Sequence, residues 1–316
     1  MNSEEKNKFP AMAFDREPAS GSSPVAEPHP PFEVLEPADL ACPLVFSSPH
    51  SGSAYPAQFL ASTRLDPLTL RRSEDAHVDW LFKDVVGFGA PLIRALFPRA
   101  YLDLNREPYE LDPRMFEGRL PAFANTRSMR VAGGLGTIPR VVGESYEIYS
   151  RRLPVAAALQ RIEALYKPYH RALRALLQRA LAGWRCAVLV DCHSMPSSCL
   201  SGERQGARAD VIIGDRYGTS CHPAIVDMLE VGLRRHGYVV KRNNPYAGGF
   251  ITEHYGNPAV GTHAVQIEVN RGLYLEEGTL ERKPEAAQVA TDVVGVLEDV
   301  ADFAQGGLPA FKTAAE

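Results

Sequence analysis

The sequence predicts an α/β protein with three layers, in which a mostly parallel, mixed sheet lies between two layers of helices. Short apolar runs of the kind that form buried strands recur along the chain, and helical stretches with one apolar face alternate with them. The apolar runs cover residues 43–48, 91–97, 187–191, 209–213, 238–241 and 264–269.

The helices are predicted from apolar residues that recur with the helical period. Ser73 is a possible N-cap for the first of them, because a serine side chain can accept a hydrogen bond from the first helical turn. Pro168 lies inside the longest, where it should produce a kink or a break. The predicted helices cover residues 73–86, 155–181, 220–236 and 283–303.

The chain has 316 residues, of which 45% are hydrophobic and 23% are charged, so it can form a full hydrophobic core. Prolines crowd the first forty residues, with little periodic apolar content between them. Such a composition cannot bury enough surface to offset its conformational entropy. We therefore expect a flexible tail over residues 1–40, a single catalytic domain over 41–306 and a short tail over 307–316.

The charge balance excludes some classes of partner. With 34 basic and 38 acidic residues, the net charge is -4, so neither nucleic acid nor a membrane surface is an expected partner. The five cysteines contain no Cys-x-x-Cys motif and are interpreted as free thiols of a reducing compartment. No secretory signal or long apolar run is present, so a cytoplasmic location is expected. The sequence does not indicate an oligomeric state.

Two predicted strands lead into a histidine, at the edge where an open α/β sheet binds its ligands. One motif is FSSPHSGSAYP, which contains His50, and the other is VLVDCHSMPS, which contains Asp191 and His193. Imidazole and carboxylate groups are favoured ligands of Zn²⁺, and a carboxylate can instead orient an imidazole from behind. Both histidines are candidate ligands and Asp191 is a candidate for either role, although each side chain could simply stabilise its loop.

A carboxylate ligand is expected from RRSEDAHVDW, at the start of the first predicted helix. Only one of Glu74 and Asp75 should be functional, since the first turn of a helix favours acidic residues for electrostatic reasons alone. Asp75 is the favoured residue, because Val78 and Phe82 follow it by three and seven positions along the apolar stripe. The sequence leaves the choice between the two acids open.

A candidate general base lies in VQIEVNRGLY, where Glu268 interrupts an otherwise apolar central strand. A carboxylate there is costly to bury unless it is paired or functional. Burial that raises its pKa would suit it to accept a proton from water. A structural ion pair with Arg271 is the alternative.

Three further positions could contact a substrate. Asn105 and Arg106 follow a strand-like run over 101–104, and an arginine fork suits a carboxylate. Tyr246 stands beside glycines that allow a close approach of the backbone to a ligand. The chain has neither a phosphate-binding glycine loop nor a GxSxG elbow. The motifs together indicate metal-assisted hydrolysis of a small substrate that carries a carboxylate.

The set of motifs resembles the N-formylglutamate amidohydrolase family. The motifs are, in order, SSPHSGSAYP, EDAHVDWLF, LDLNREPYELDP, VDCHSMPS, NNPYAGGFITEHYG and QIEVNRGLYLEE, over residues 46–275. The resemblance implies a zinc-carboxypeptidase-like fold and hydrolysis of N-formyl-L-glutamate to formate and L-glutamate in histidine degradation. Relatives of that fold bind metal through His-x-x-Glu and a distant histidine, whereas Ser53 stands three residues after His50 here. The carboxylate ligand must therefore come from elsewhere.

The resemblance also implies a role for each candidate residue. One Zn²⁺ per chain would be held by His50, Asp75 and His193, and Glu268 would be the base. Arg106, with Asn105, would bind the substrate carboxylates and take part in catalysis, and Arg271 and Tyr246 would also contact the substrate. The alternatives are a zinc aminoacylase or carboxypeptidase-like enzyme for another N-acyl amino acid, and a metal-binding protein without catalysis.

Overall fold

The computed structural model describes residues 30–143, 146–200 and 208–308, and the side chains of all of these except residues 199 and 200. The strands of this part of the chain are β1 (Phe32–Leu35), β2 (Leu44–Ser48), β3 (Leu92–Ala95), β4 (Phe116–Glu117), β5 (Val141–Val142), β6 (Tyr146–Glu147), β7 (Leu153–Pro154), β8 (Ala187–Met195), β9 (Val211–Gly214), β10 (Val240–Arg242), β11 (Thr262–Asn270), β12 (Leu275–Glu276) and β13 (Glu281–Arg282).

Seven of these strands form one mixed sheet, in the order β1-β3-β2-β8-β11-β9-β10. Strands β3, β2, β8 and β11 run parallel to one another, and β9 is parallel to β10. Two pairs are antiparallel, β1 with β3 at one edge and β11 with β9 near the other. The predicted mostly parallel, mixed sheet is therefore confirmed, and each of the six predicted apolar runs overlaps one of its strands.

Strand β1 was not predicted, and it corrects the proposed tail over residues 1–40. Phe32 to Leu35 pair with β3, and Leu96 donates a backbone hydrogen bond to the carbonyl of Pro31. Phe32 and Val34 pack against the hydrophobic core, which is why so short a segment is held in place. Residues 1–29 and 309–316 of the two predicted tails lie outside the described residues.

The helices are α1 (Ala57–Ser62), α2 (Pro67–Arg71), α3 (Val78–Phe82), α4 (Met129–Ala132), α5 (Val155–Arg161), α6 (Lys167–Trp184), α7 (Pro223–Arg235), α8 (Phe250–Tyr255) and α9 (Ala286–Gln305). A π-helical turn, Ile162–Tyr166, joins α5 to α6 immediately before Pro168. The predicted irregularity is therefore present near this proline. No helix in the described part of the chain combines the length and apolar character needed to cross a bilayer.

The helix predicted over residues 73–86 is wrong at its start. Helix α3 begins at Val78, preceded by His77 with a left-handed φ of 63°, and a 3₁₀ segment, Lys83–Phe88, follows it. The reason is tertiary, since the backbone N–H of Asp75 donates to the carbonyl of His50 and Glu74 binds Arg71. The strand-like run 101–104 is also wrong, because these residues form turns and no strand.

The sheet separates two hydrophobic clusters, which gives the three predicted layers. Side chains of β8 alternate between them, with Leu189 facing the layer of α6 and Val188 facing the layer of α7 and α9. Further along the same strand, on the face of Leu189, the apolar residues give way to Asp191 and His193. One face of the sheet therefore changes from core to polar site along its central strands.

Candidate active site

His50, Asp75 and His193 come together at the carboxyl end of the parallel strands. One ligand atom from each lies within 4.8 Å of the others, and all three side chains are buried. Nδ1 of His50 and Nδ1 of His193 lie 3.3 Å and 2.9 Å from Oδ2 of Asp75. We call these three residues the ligand cluster.

The loop before α3 places Asp75 in the cluster and turns Glu74 away from it. Glu74 accepts hydrogen bonds from Tyr55 Oη at 2.6 Å and from the guanidinium of Arg71 at 3.0 Å. The second oxygen of Asp75 accepts from Arg271 Nη2 at 2.9 Å and from Ser194 Oγ at 3.2 Å. Asp75 is thus the acid that can offer an oxygen to a metal ion.

Each imidazole of the cluster contacts a second carboxylate through its Nε2 atom, on the side of the ring away from Asp75. Nε2 of His50 lies 2.7 Å from Oδ1 of Asp103, and Nε2 of His193 lies 2.9 Å from Oδ2 of Asp191. A carboxylate at Nε2 favours the tautomer with the proton on Nε2, which leaves the lone pair of Nδ1 toward the cluster. Asp191 therefore takes the orienting role that the sequence left open.

These donors fit a metal ion such as Zn²⁺. Two imidazoles, one carboxylate between them and a further carboxylate at the Nε2 atom of each ring are a ligand set that zinc favours. Nδ1 of His50 is fully buried and makes no hydrogen bond to any group in the described residues. Since a buried polar atom without a partner is costly, this nitrogen is best explained as a ligand atom.

The charges of the cluster are strongly coupled. Burial alone would raise the pKa of Asp75, but the adjacent imidazoles of His193 and His50 outweigh it and hold the pKa well below the usual range. Burial would lower the pKa of His193, yet the adjacent carboxylate of Asp191 raises it well above that of a free imidazole. Asp75 is therefore held in its ionised form, as a carboxylate ligand of a cation must be.

Glu268 lies beside the cluster, directly opposite His193 in the register of β11 and β8. Its side chain is buried and its Oε1 accepts a hydrogen bond from Gln266 Nε2 at 2.7 Å. Burial raises the pKa of Glu268 to about 7, although the neighbouring His193 opposes the shift. A carboxyl group with this pKa exchanges protons readily near neutral pH.

The ligand cluster and Glu268 line a cavity of about 700 Å³, which we call the site cavity. All four predicted substrate residues reach it: Asn105, Arg106, Tyr246 and Arg271. Six arginines are among its lining residues: Arg72, Arg99, Arg106, Arg130, Arg216 and Arg271. The cavity therefore suits a small anionic ligand.

Arg106 and Arg271 are largely engaged by the protein itself. The guanidinium of Arg106 donates to the carbonyls of Leu135 and Asn105 at 2.7 Å and 2.6 Å. That of Arg271 donates to Ser194, Asp75 and the carbonyl of Arg72. Both side chains contribute positive charge to the cavity wall while most of their donors hold the site together.

Asn105 connects the ligand cluster to the glycine-rich loop before α8. Its Nδ2 donates to Asp191 Oδ2 at 3.1 Å and lies 3.0 Å from His193 Nε2, and its Oδ1 accepts from the N–H of Ile251. A Cβ atom on Gly249 would lie 2.6 Å from Asn105 Cγ, so only glycine allows this approach.

Sequence reasoning missed several residues of the site. Asp103 was not singled out, because its contact with His50 depends on turns that the run 101–104 was not expected to form. Arg99 binds the other oxygen of Asp103 at 2.9 Å, and the sequence carries no motif for it. The strand alternation does place Gln266 on the same face as Glu268, but the sequence assigns no role to it.

A three-donor cluster, a buried carboxyl group of raised pKa and an arginine-lined cavity at the end of parallel strands form a site of the class that hydrolyses small anionic substrates. Comparison with known proteins agrees with this class. A family model for N-formylglutamate amidohydrolase matches residues 42–275. The chain belongs to the N-formylglutamate amidohydrolase family.

Individual relatives support this family. The crystal structure of an N-formylglutamate amidohydrolase from Ralstonia eutropha JMP134 is similar with a TM-score of 0.83 and 38% identity, over 88% of this chain and 99% of that chain. The N-formylglutamate deformylase of Pseudomonas putida is 29% identical over 242 residues, 74% of this chain and 82% of its own. That of Pseudomonas aeruginosa is 29% identical over 248 residues, 78% and 86% of the two chains.

Proposed function

We propose that this protein is a zinc-dependent amidohydrolase that cleaves N-formyl-L-glutamate into formate and L-glutamate. The observation that carries the proposal is the position of Glu268, opposite His193 and beside the ligand cluster, with a pKa raised to about 7. The names of the Ralstonia and Pseudomonas relatives support this substrate. As the resemblance implies, the reaction would serve histidine degradation, and we expect it to take place in the cytoplasm.

In this proposal His50, Asp75 and His193 hold one Zn²⁺. The chemistry that the ion supplies when bound at such a cluster is polarisation of a carbonyl group and acidification of water. Asp103 and Asp191 keep the two imidazoles in the tautomer that presents Nδ1. Arg271 and Ser194 occupy the second oxygen of Asp75, which fixes its first oxygen toward the cluster.

Glu268 is proposed as the group that moves protons. It accepts a proton from the attacking water, whose oxygen forms the new bond to the formyl carbon. The C–N bond then breaks, and Glu268 returns the proton to the departing nitrogen of glutamate. Gln266 holds Oε1 of Glu268, so the second carboxylate oxygen is the one left to act.

The substrate is proposed to lie in the site cavity with its negative charges toward the arginines. Arg106 is almost fully buried, and burial lowers its pKa to about 10, so it still carries its charge at neutral pH. Asn105, Tyr246 and Arg271 would contribute to the wall that the substrate contacts. The arginines of the cavity wall favour a substrate that carries carboxylates over a neutral one, which supplies specificity.

The experiment is release of formate from N-formyl-L-glutamate by purified protein loaded with one equivalent of Zn²⁺. We expect turnover that disappears with a chelator and returns with zinc. His193→Ala should lose both stoichiometric zinc and activity, and a variant that still held zinc would contradict the ligand assignment. Turnover of N-acetyl but not N-formyl amino acids would favour an aminoacylase, and zinc binding without any turnover would favour a protein that only binds metal.

A further inference from the structure

Two of the six cavity arginines stand apart from the ligand cluster. Arg130 and Arg216 line the site cavity and also a second cavity of about 590 Å³ beside it, which we call the outer cavity. Glu110 and Glu253 line the outer cavity and form ion pairs with Arg130 and Arg216, at 3.7 Å and 3.0 Å. The two arginines therefore mark the boundary between the cavities.

Arg216 is held in an unusual conformation. Its φ is 52° and that of Tyr217 is 57°, so two successive residues other than glycine have left-handed backbone. Such residues are energetically unfavourable and persist where surrounding contacts enforce them, often at functional sites. Here Asn243 Oδ1 accepts from the N–H groups of Asp215 and Tyr217, and the N–H of Arg216 donates to the carbonyl of Ala247 at 2.8 Å.

A short series of contacts leads from Arg216 to the ligand cluster. Arg216 Nη1 donates to the carbonyl of Gly248 at 3.3 Å, and a Cβ on Gly248 would lie 3.2 Å from Arg216 Cδ. The next residue, Gly249, packs on Asn105, which lies 3.0 Å from His193 Nε2. Arg216 is therefore connected to the proposed metal ligands through Gly248, Gly249 and Asn105.

Six arginines but three acidic residues, Asp75, Asp103 and Glu268, line the site cavity, so its wall carries more basic than acidic side chains. Arg130 is separated from its nearest acid, Glu110, by 3.7 Å, which is long for an ion pair. Burial lowers the pKa of Arg106 most, the carboxylate of Asp103 opposes this shift, and the charges of Arg99 and Arg130 lower the pKa further. Three like charges crowded around one cavity favour the binding of an anion between them.

We propose that Arg216, together with Arg130, binds the side-chain carboxylate of the substrate and so determines the preference for an acidic amino acid. The assignment rests on the proposed function, because it states which residues of the site cavity bind each end of N-formyl-L-glutamate. The formyl end reacts at the ligand cluster and Glu268, so the side-chain carboxylate is the substrate's second charge, remote from the scissile bond. A planar guanidinium group can form two charge-assisted hydrogen bonds to that carboxylate, and it cannot form the same pair with the neutral side-chain amide of N-formyl-L-glutamine.

The test compares two substrates that differ only at this end, N-formyl-L-glutamate and N-formyl-L-glutamine, with zinc-loaded wild type, Arg216→Gln and Arg216→Lys. The control is Arg179→Gln, which removes an exposed arginine paired with Glu36. Circular dichroism and zinc content verify folding. We expect the wild type to prefer formylglutamate in kcat/KM by about 10- to 100-fold, a size typical for one charge-assisted contact.

Arg216→Gln should abolish most of this preference through a higher KM for formylglutamate, while its kcat/KM for formylglutamine stays within about threefold of the wild type. Arg216→Lys should keep part of the preference, since the charge remains without the fork. An unchanged preference in Arg216→Gln, or equal losses on both substrates, would overturn the assignment. A wild type that releases formate from neither substrate would overturn the proposed function and this assignment with it.

Discussion

The two imidazoles of the ligand cluster depend on carboxylates that would never touch a metal ion. Asp191 reaches His193 from two residues earlier on the same strand, so its side chain and that of the ligand point to the same face. Asp103 reaches His50 from a turn and is itself held by Arg99. Metal affinity should therefore depend on residues outside the cluster.

Asp191→Asn should weaken zinc binding by about 10- to 100-fold without unfolding the protein. The amide oxygen of Asn is a weaker hydrogen-bond acceptor than a carboxylate. It therefore polarises the imidazole of His193 less, and Nδ1 of that ring becomes a poorer ligand. Competition with a chelator of known affinity measures the change. Asp227→Asn is the matched control, because that aspartate is 62% exposed and pairs with Arg242 at the surface. A change below about threefold in Asp191→Asn would contradict the orienting role.

Glu268→Gln should lower kcat for formylglutamate by about 10²- to 10⁴-fold, the usual contribution of a positioned base. Zinc content should stay at one per chain, since Glu268 is not a member of the ligand cluster. Formate release and metal analysis on the same preparation check both statements. The exposed Glu276, replaced by Gln, serves as the control. Near-normal turnover in Glu268→Gln would assign the proton transfer to another group.

At the level of the elements, helices α7 and α9 pack against each other through Gly232, and this contact can be tested by substitution. A Cβ on Gly232 of α7 would lie 2.7 Å from Val296 Cγ1 of α9, whereas a Cβ on Gly295 of α9 would meet nothing within 4 Å. Gly295→Ala should therefore raise the free energy of unfolding by about 1 kcal/mol, through better helix propensity.

Gly232→Ala should instead lower the free energy of unfolding by about 1 to 3 kcal/mol, because the added methyl group overpacks the contact with Val296. Urea unfolding of the two variants beside the wild type compares the same chemical change in two helices. Stabilisation by both substitutions would show that α7 and α9 can move apart without cost.

The elements that sequence predicts best here are those whose pattern is local. The six strands and the helices α6, α7 and α9 follow from apolar runs and helical periods that each segment carries in itself. Strand β1 escaped prediction because four residues between prolines carry too little pattern and are held by pairing with β3. The start of α3 was misplaced because Asp75 is drawn out of helical geometry by His50, a residue of another element.

The candidate site divides in the same way. Three residues of the site could be predicted: His50, His193 and Glu268. Each places a polar side chain within or just after an apolar strand, where burial costs free energy unless the group is paired or functional. Arg216 could not, because its importance arises from a left-handed backbone and from the neighbouring Gly248 loop, which meet only in the fold. Contacts between distant segments are the part of the site that composition and spacing do not encode.

At the scale of the whole molecule, acid stability should depend on a buried histidine outside the site. His170 contacts Tyr255 Oη and the carbonyl of Leu104, and burial lowers its pKa to about 3. The unfolded chain binds a proton near pH 6.5 and the folded chain does not until about pH 3. Stability is therefore lost as pH falls through this window, by about 2 kcal/mol at pH 5 for this group.

The measurement is urea unfolding of metal-free wild type and His170→Gln at pH 7.5 and pH 5. The variant should be less stable at pH 7.5, since it loses buried contacts, but the difference should shrink by about 2 kcal/mol at pH 5. Because both proteins share every other titrating group, the comparison isolates this histidine. An equal difference at both pH values would assign the acid sensitivity elsewhere.

The pairing of β8 with β11 has a consequence for how the protein can fail. Along both strands, core residues and site residues alternate with a period of two, and His193 faces Glu268 across the ladder. A slip of one residue would exchange Glu268 for Ile267 or Val269 and turn charged groups into the apolar layer. A chain with shifted register would therefore lose both its packed core and its active site. Turnover would then report only the correctly folded molecules in a preparation.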